Sequence, residues 1–508
     1  VPARKYYILD DFDASLADFL LPLDKICRVW YLFNMTVIKF GTDGWRAKMG
    51  EEFTFENVRI FAYAYSNYLK KKFRNKNKTK KNSCVIVNYD TRFLSEEFAL
   101  EAAKIFSLNG IKTRIPERDA PLAPVSLAIV RNNCCGGINI TASFNKPIYN
   151  GIKVFTNKGI PALPEETDLI EKEIEKVAEN FCYKPQYSNK DFIRSIDVKT
   201  AYIEYIEKLI DFDLIKRSGI KVVVDNLFGT SREYLDYILS EHEVDILSIH
   251  NFPYSAFGGV ISFCDKNSLK DLSKLVVQQR AHLGLATDID GDRFGIIDSK
   301  GRFLCSNKIM PPLIEYLITV RKMEGGIVKS ISTTNNIRKV AEYYDRKIYS
   351  TPVGFKYLAN ELDSKDTFIA VESTNGASLN GEIKIKDGIL FSLLITEMLA
   401  YYQLEMGKVL KDFYLRFPKL YSDEISIKKN ERTEDRYKEL LSRKNFDHDF
   451  KDWHLKGVEY IDGIKFRFDD SWLLIRSSGT SDVLRLYAES TGLKGTKDLI
   501  KKGRSFLE

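Results

Sequence analysis

Short apolar runs and amphipathic stretches alternate along this chain. Short apolar runs, most of them rich in Val and Ile, at 84–88, 137–141, 220–225, 244–249, 283–287, 326–331 and 368–371 predict strands. Between them, 165–181, 198–210, 269–281 and 308–321 carry apolar residues at helical spacing. Strands alternating with helices predict α/β domains built on largely parallel sheets. The C-terminal end differs. There "GIKFRFDDSWLLIRSSG" and "VLRLYAES" read as hairpin strands followed by a short helix, which predicts a smaller α+β domain. Polar or charged connections near 190, 297 and 410 divide the chain into expected α/β domains at 35–190, 191–297 and 298–410 and an α+β domain at 411–508. No internal repeat is legible in the sequence.

The first 34 residues stand apart. Acidic residues interrupt their apolar runs, and no basic start precedes a clean apolar core, so a signal peptide is not expected. The regular pattern begins at "MTVIKFGTDGWRA", and 1–34 is expected to be an N-terminal extension outside the fold.

Composition sets limits on partners. The chain has 508 residues, 44% of them hydrophobic, which is enough for several cores. Its net charge of +7 is spread along most of its length and suits anionic small molecules. The one dense basic cluster, "LKKKFRNKNKTKKN", lacks aromatic interleaving or a recognition motif, so it reads as a solvated connection and no nucleic-acid partner is expected. No apolar run approaches the roughly 20 residues of a membrane span. Seven irregularly spaced cysteines read as reduced thiols of a cytoplasmic protein.

Five stretches carry candidate chemistry. In "LATDIDGDRFGIID", Asp288, Asp290 and Asp292 follow a strand at alternate positions, so three carboxylates share one side. Oxygen donors of this kind suit a hard cation such as Mg²⁺. The trio is not an EF-hand, which needs Gly sixth and Glu twelfth where Arg293 and Ser299 stand. In "IRSSGTSDVLRLYAE", Arg476, Ser478, Gly479, Thr480 and Arg485 combine guanidinium forks, hydroxyls and a glycine-opened backbone, the makings of an anion cradle. In "FIAVESTNGASLNGEIKIKDGIL", Glu372 and Thr374 share a strand face, an arrangement suited to sugar hydroxyls, and Lys386-Asp387-Gly388 precedes an apolar helix. Two glycines loosen the turn that carries Arg46 in "FGTDGWRA". In "ITASFNKPIYNGIKVF", a β-run feeds a small polar turn with Ser143, and a second strand holds Lys153.

In this order and at these separations the motifs resemble the α-D-phosphohexomutase superfamily, the phosphoglucomutase/phosphomannomutase enzymes, from about Met35 onward. Framework stretches such as "YDTRFLSEEFA", "VVVDNLFGT" and "TPVGFKYLANEL" share the resemblance. It implies four domains around a central cleft: three similar α/β mixed-sheet domains and a smaller C-terminal α+β domain. It implies phosphoryl transfer between O1 and O6 of a hexose phosphate through a phosphoserine and a hexose 1,6-bisphosphate, with Mg²⁺ as cofactor and a phosphosugar as the small-molecule partner. Ser143 is implied as the phosphoryl carrier, and with Asp288, Asp290 and Asp292 as a metal ligand. Arg293, Gly354, Glu372 and Thr374 are implied as substrate contacts. Arg476, Ser478, Gly479, Thr480 and Arg485 are implied to grip the non-reacting phosphate. Arg46, Lys153 and Lys386 are implied near the transferred group, the lysines in acid–base work. Glucose phosphates are the first expectation. Mannose or glucosamine phosphates are alternatives, as is a phosphosugar-binding paralogue with impaired catalysis.

Two departures bear on that. The family's Thr-Ala-Ser-His-Asn-Pro reads Thr141-Ala142-Ser143-Phe144-Asn145-Lys146 here, without a register shift. Phe144 removes an imidazole, and Lys146 is expected to restore part of the positive charge. In "FGGVISFCDKNSL" the prolines usual after the glycines are missing.

Overall fold

The computed structural model describes residues 38–508 except 75–83, 180, 182–189, 260–262, 404, 447, 452 and 480. The expected extension at 1–34 and the cradle residue Thr480 lie outside the described residues.

Four sheets follow one another along the chain. The first holds β1 (Trp45–Lys48), β2 (Cys84–Tyr89), β3 (Lys112–Pro116), β4 (Gly136–Ile140), β5 (Tyr149–Thr156) and β6 (Ile193–Ile196), in the order β1-β5-β4-β2-β3-β6. β4, β2, β3 and β6 run parallel, whereas β5 folds back on β4 and β1 on β5. The second holds β7 (Lys221–Asp225), β8 (Asp245–Ile249), β9 (Leu283–Thr287), β10 (Phe294–Asp298) and β11 (Phe303–Leu304), ordered β11-β10-β9-β7-β8. The third holds β12 (Gly326–Ser330), β13 (Ile348–Thr351), β14 (Thr367–Glu372) and β15 (Gly376–Leu379), ordered β13-β12-β14-β15. The fourth holds β16 (Tyr421–Lys428), β17 (Gly457–Glu459), β18 (Ile464–Arg467), β19 (Trp472–Ser477) and β20 (Val483–Ser490), all antiparallel and backed by the helix Leu493–Ser505. The architecture is four α/β-type units, three with mixed sheets and a C-terminal antiparallel one.

Burial explains which strands the apolar pattern shows. β2, β4, β9, β12 and β14 are buried at every residue, as central parallel strands covered on both faces must be. β6 (Ile193–Ile196) is a half-exposed edge strand with no apolar run, and it pairs with β3 although it lies past position 190. β11 likewise lies past 297 and pairs with β10.

The three mixed sheets share one device. In each, a buried strand parallel to its neighbour is followed by an antiparallel return: β4 to β5, β9 to β10 and β14 to β15. The connections are 141–148, 288–293 and 373–375. The apolar helix Gly388–Tyr402 is buried from Gly388 to Ala400 and packs on β9, β10 and β15, tying the second unit to the third. Among the described residues no single helix is long and apolar enough to cross a membrane.

Candidate active site

Each of those returns delivers one of the expected motifs, and the β19–β20 hairpin delivers the fourth. After β4, Thr141 donates its hydroxyl to Asp90 and accepts from the Ser143 amide at 2.8 Å. Ser143 is held at φ 49°, a left-handed conformation that a non-glycine residue keeps only where its surroundings enforce it. Arg92 supplies the enforcement, donating to the carbonyls of Ser143, Asn145, Lys146 and Tyr149 and so bracing the whole loop. Arg92 stands in the "YDTRF" stretch, whose letters do not mark it for this part.

The serine is fully buried, with Asp288 and Arg293 beside it. Its Oγ donates to Asp288 Oδ2 at 3.2 Å and accepts from Arg293 Nη1 at 3.3 Å. A turn, rather than an extended strand, gathers the three carboxylates. The Gly291 amide bonds back to the Asp288 carbonyl with Gly291 at φ 70°. One oxygen from each of Asp288, Asp290 and Asp292 then falls within 4.8 Å of the others. Burial, with Asp292 and Asp290 alongside, pushes Asp288 well above the usual carboxylate range. Burial acts on Asp292 too, but Lys153, then Lys386 and Arg293, hold it below that range. Asp290 Oδ1 and Asp292 Oδ1 are buried without a hydrogen-bond partner among the described residues. Three crowded carboxylates, two of them with unpartnered oxygens, are the donor set of a hard divalent cation, so these residues fit Mg²⁺.

Two buried lysines close the other side. Lys153, in the middle of β5, lies 2.8 Å from Asp290, 2.9 Å from Asp292 and 3.0 Å from Asp43. Burial opposes its charge, yet Asp290, Asp292 and Asp43 hold its pKa above the usual lysine range, so it keeps its proton. Lys386 lies 2.9 Å from Asp292. Asp387 caps the helix that follows, accepting from the Leu390 amide at 2.9 Å and from the Tyr202 hydroxyl at 2.8 Å. Asp43 also pairs with Arg46 at 3.2 Å. Its position inside "FGTDGWRA" was visible, but spacing alone marks only the arginine.

Beyond the serine opens a cleft of about 1090 Å³, lined from all four units. Arg46, Phe144 and Lys146 come from the first and Phe263 and Arg293 from the second. Gly354, Glu372, Thr374 and Lys386 come from the third, and Arg476, Ser478 and Arg485 from the fourth. Thr374 donates to Glu372 Oε2 at 3.0 Å, so the expected pair does meet on one face. Arg476 and Arg485 are cross-strand partners of β19 and β20, which sets both guanidinium groups on one face. Asp462 holds Arg476 at 2.7 Å and also accepts from the Val353 amide at 3.0 Å, while Glu424 holds Arg485 at 2.6 Å. Ser478 bonds Ser481 at 2.9 Å. Two glycines allow the close fit of loops around Thr42. A Cβ on Gly354 would meet Thr42 Cγ2 at 2.7 Å, and one on Gly479 would meet Thr42 Oγ1 at 2.6 Å.

The structure therefore brings every described candidate residue to one cleft and the buried cluster beneath it. It leaves Lys146 exposed at the rim.

Comparison with known proteins names the class. Residues 37–181, 200–301 and 306–417 match the phosphoglucomutase/phosphomannomutase alpha/beta/alpha domains I, II and III, and 428–502 match the C-terminal domain of the same set. This chain belongs to the phosphoglucomutase/phosphomannomutase family, within the α-D-phosphohexomutase superfamily. These enzymes are isomerases that work by phosphotransfer.

Among relatives, a phosphoglucomutase/phosphomannomutase of Thermococcus kodakarensis is 28% identical, over 92% of this chain and 98% of its own. A phosphoglucosamine mutase of Methanocaldococcus jannaschii is 27% identical over 84% and 91%. The open form of a Paramecium phosphoglucomutase, parafusin, superposes with a TM-score of 0.79 at 21% identity, covering 93% of this chain and 95% of its own. An Aspergillus fumigatus N-acetylphosphoglucosamine mutase, solved with GlcNAc-6P and magnesium, shares the fold with a TM-score of 0.53 at 15% identity, covering 96% of this chain and 100% of its own.

Proposed function

We propose that this protein is a Mg²⁺-dependent phosphohexomutase that interconverts hexose 1-phosphate and hexose 6-phosphate, with glucose phosphates as its main substrates. The carrying observation is that a buried serine, three clustered carboxylates and a pair of cross-strand arginines converge on one cleft.

Phosphoryl transfer demands in-line placement and neutralisation of charge on the equatorial oxygens. Ser143 is the proposed carrier, and its strained turn, braced by Arg92, fixes the oxygen that gives and receives the group. A phosphoserine brings about −1.5 to −2 charge into this pocket. Arg293, 3.3 Å from Oγ, offsets part of it. When bound to Asp288, Asp290 and Asp292, Mg²⁺ supplies electrostatic stabilisation of the phosphoryl oxygens. Lys153, which keeps its proton, and Lys386 both lie 2.9 Å from Asp292 and are the groups proposed to exchange a proton with the sugar hydroxyl. Glu372 and Thr374 take the sugar hydroxyls, with Gly354 opening space beside them. Arg476, Ser478, Gly479, Thr480 and Arg485 hold the phosphate that does not react.

A hexose 1,6-bisphosphate then turns end over end, and its second phosphate reaches Ser143. The same reading puts the protein in the cytoplasm, where sugar phosphates are made and used.

Turnover of glucose 1-phosphate with Mg²⁺ and a bisphosphate primer tests this, read against Ser143→Ala. Activity in the parent and none in the variant is expected; no parent turnover above the variant's would sink the proposal and favour a binding paralogue. The relatives named for glucosamine and mannose phosphates motivate a second reading of the substrate. A comparison of kcat/KM across the three sugars decides it.

A further inference from the structure

The two departures in the sequence meet in space. Phe144, where the family has histidine, packs edge-on against Phe263, from the loop whose prolines are missing, with ring centroids 5.0 Å apart. Two guanidinium groups stand over the Phe144 ring, Arg293 at 4.5 Å and Arg46 at 5.2 Å, and Arg293 also lies 5.5 Å from the Phe263 ring. Like charges brought to one ring repel, and the negative face of an aromatic ring offsets that repulsion. Each arginine is further tethered, Arg46 through Nη1 to Asn145 at 3.0 Å and through Nη2 to Asp43 at 3.2 Å, Arg293 through Nη1 to Ser143 at 3.3 Å and Asp288 at 3.4 Å. The Nε of each is buried without a hydrogen-bond partner among the described residues. Phe144, Arg46 and Arg293 line the cleft, while Ser143 lies beneath them, fully buried.

We infer that Phe144, buttressed by Phe263, is a positioning residue that holds Arg46 and Arg293 side by side at the cleft floor so that their spare N–H groups take the oxygens of one phosphoryl group. This rests on the reading of the site as a phosphohexomutase. A ring without a titratable proton does this work at any pH, whereas an imidazole between two arginines would repel them once protonated.

The test combines turnover with a measurement that needs none. In Phe144→Leu, which keeps an apolar side chain but loses the ring, kcat should fall about tenfold with KM little changed, in line with the loss of two cation–π contacts. Phe144→Tyr, which restores a ring, should recover most of that loss. Phe144→His should add an acid limb to the pH–rate profile, falling as pH drops below about 6.5, that the parent lacks. Inorganic phosphate binding by calorimetry should weaken about tenfold in Phe144→Leu and recover in Phe144→Tyr. Thermal melts check that each variant is folded. If the parent shows no turnover, the functional reading fails, and the phosphate titration still decides the role of the ring. Phosphate affinity unchanged in Phe144→Leu, or equally lost in Phe144→Tyr, would overturn the inference.

Discussion

At the scale of single residues, the site is a set of carboxylates and cations placed so close that each alters the others. The Asp trio was legible because its spacing is written in the chain. Asp43 was not, because its partners Lys153 and Lys386 come from two distant stretches and meet it only in the fold. Arg92 was unreadable for the same reason, since its targets are carbonyl oxygens, which every residue has.

Two predictions belong here. Mg²⁺ at a hundredfold excess over its Kd should raise the melting temperature of the parent by several degrees, equivalent to about 2.7 kcal/mol, and leave Asp290→Asn unmoved.

Asp387 supplies a pH dependence. Burial pushes its carboxyl up to about 6, against the Leu390 amide and Tyr202 hydroxyl that favour the charged form. Unfolded, it titrates near 3.9. Folding thus favours the neutral form, and its stabilisation is full below about pH 4 and lost as pH rises through 6, about 3 kcal/mol in all. Asp387→Asn stays neutral throughout, so its melting temperature relative to the parent should climb between pH 4 and 7. A constant difference would remove Asp387 from the account.

At the scale of elements, the repeated strand-and-return explains why unrelated letters end up doing related work. The loops 141–148, 288–293 and 373–375 share no residue pattern, so no repeat shows in the sequence. They share a place, the end of a buried parallel strand just before its antiparallel neighbour. The short apolar runs of β2, β9 and β14 were legible because full burial leaves little room for polar alternation. β1, β6 and β13 were missed because edge strands carry polar residues on their open side.

Packing between elements gives a further test. A Cβ on Gly376, at the start of β15, would meet Lys386 Cδ at 2.3 Å. Lys386 is pinned at its far end by Asp292 and cannot simply swing away. Gly376→Ala should therefore lower kcat at least tenfold while the far-ultraviolet spectrum stays that of the parent. Full activity would show that Lys386 has room the structure does not give it.

At the scale of the molecule, function depends on four units closing on one space. The resemblance made the four units and the shared cleft readable. The contacts that close it were not readable, because they are backbone approaches and single ion pairs. Asp462 joins the fourth unit to the third through Arg476 and the Val353 amide. Thr42 meets Gly354 of the third unit and Gly479 of the fourth.

That junction at Thr42 separates timing from chemistry. None of the three residues is charged, yet their close approach is where the first, third and fourth units meet. In the proposed reaction, an intermediate that must rotate before it reacts again is in a race between onward transfer and escape. One methyl at the junction shortens the chamber's dwell and leaves each reacting group where it was. In Gly479→Ala, the proposed bisphosphate should leak into solution, and turnover should then depend steeply on added bisphosphate. If the variant's need for primer matches the parent's, the seal lies elsewhere.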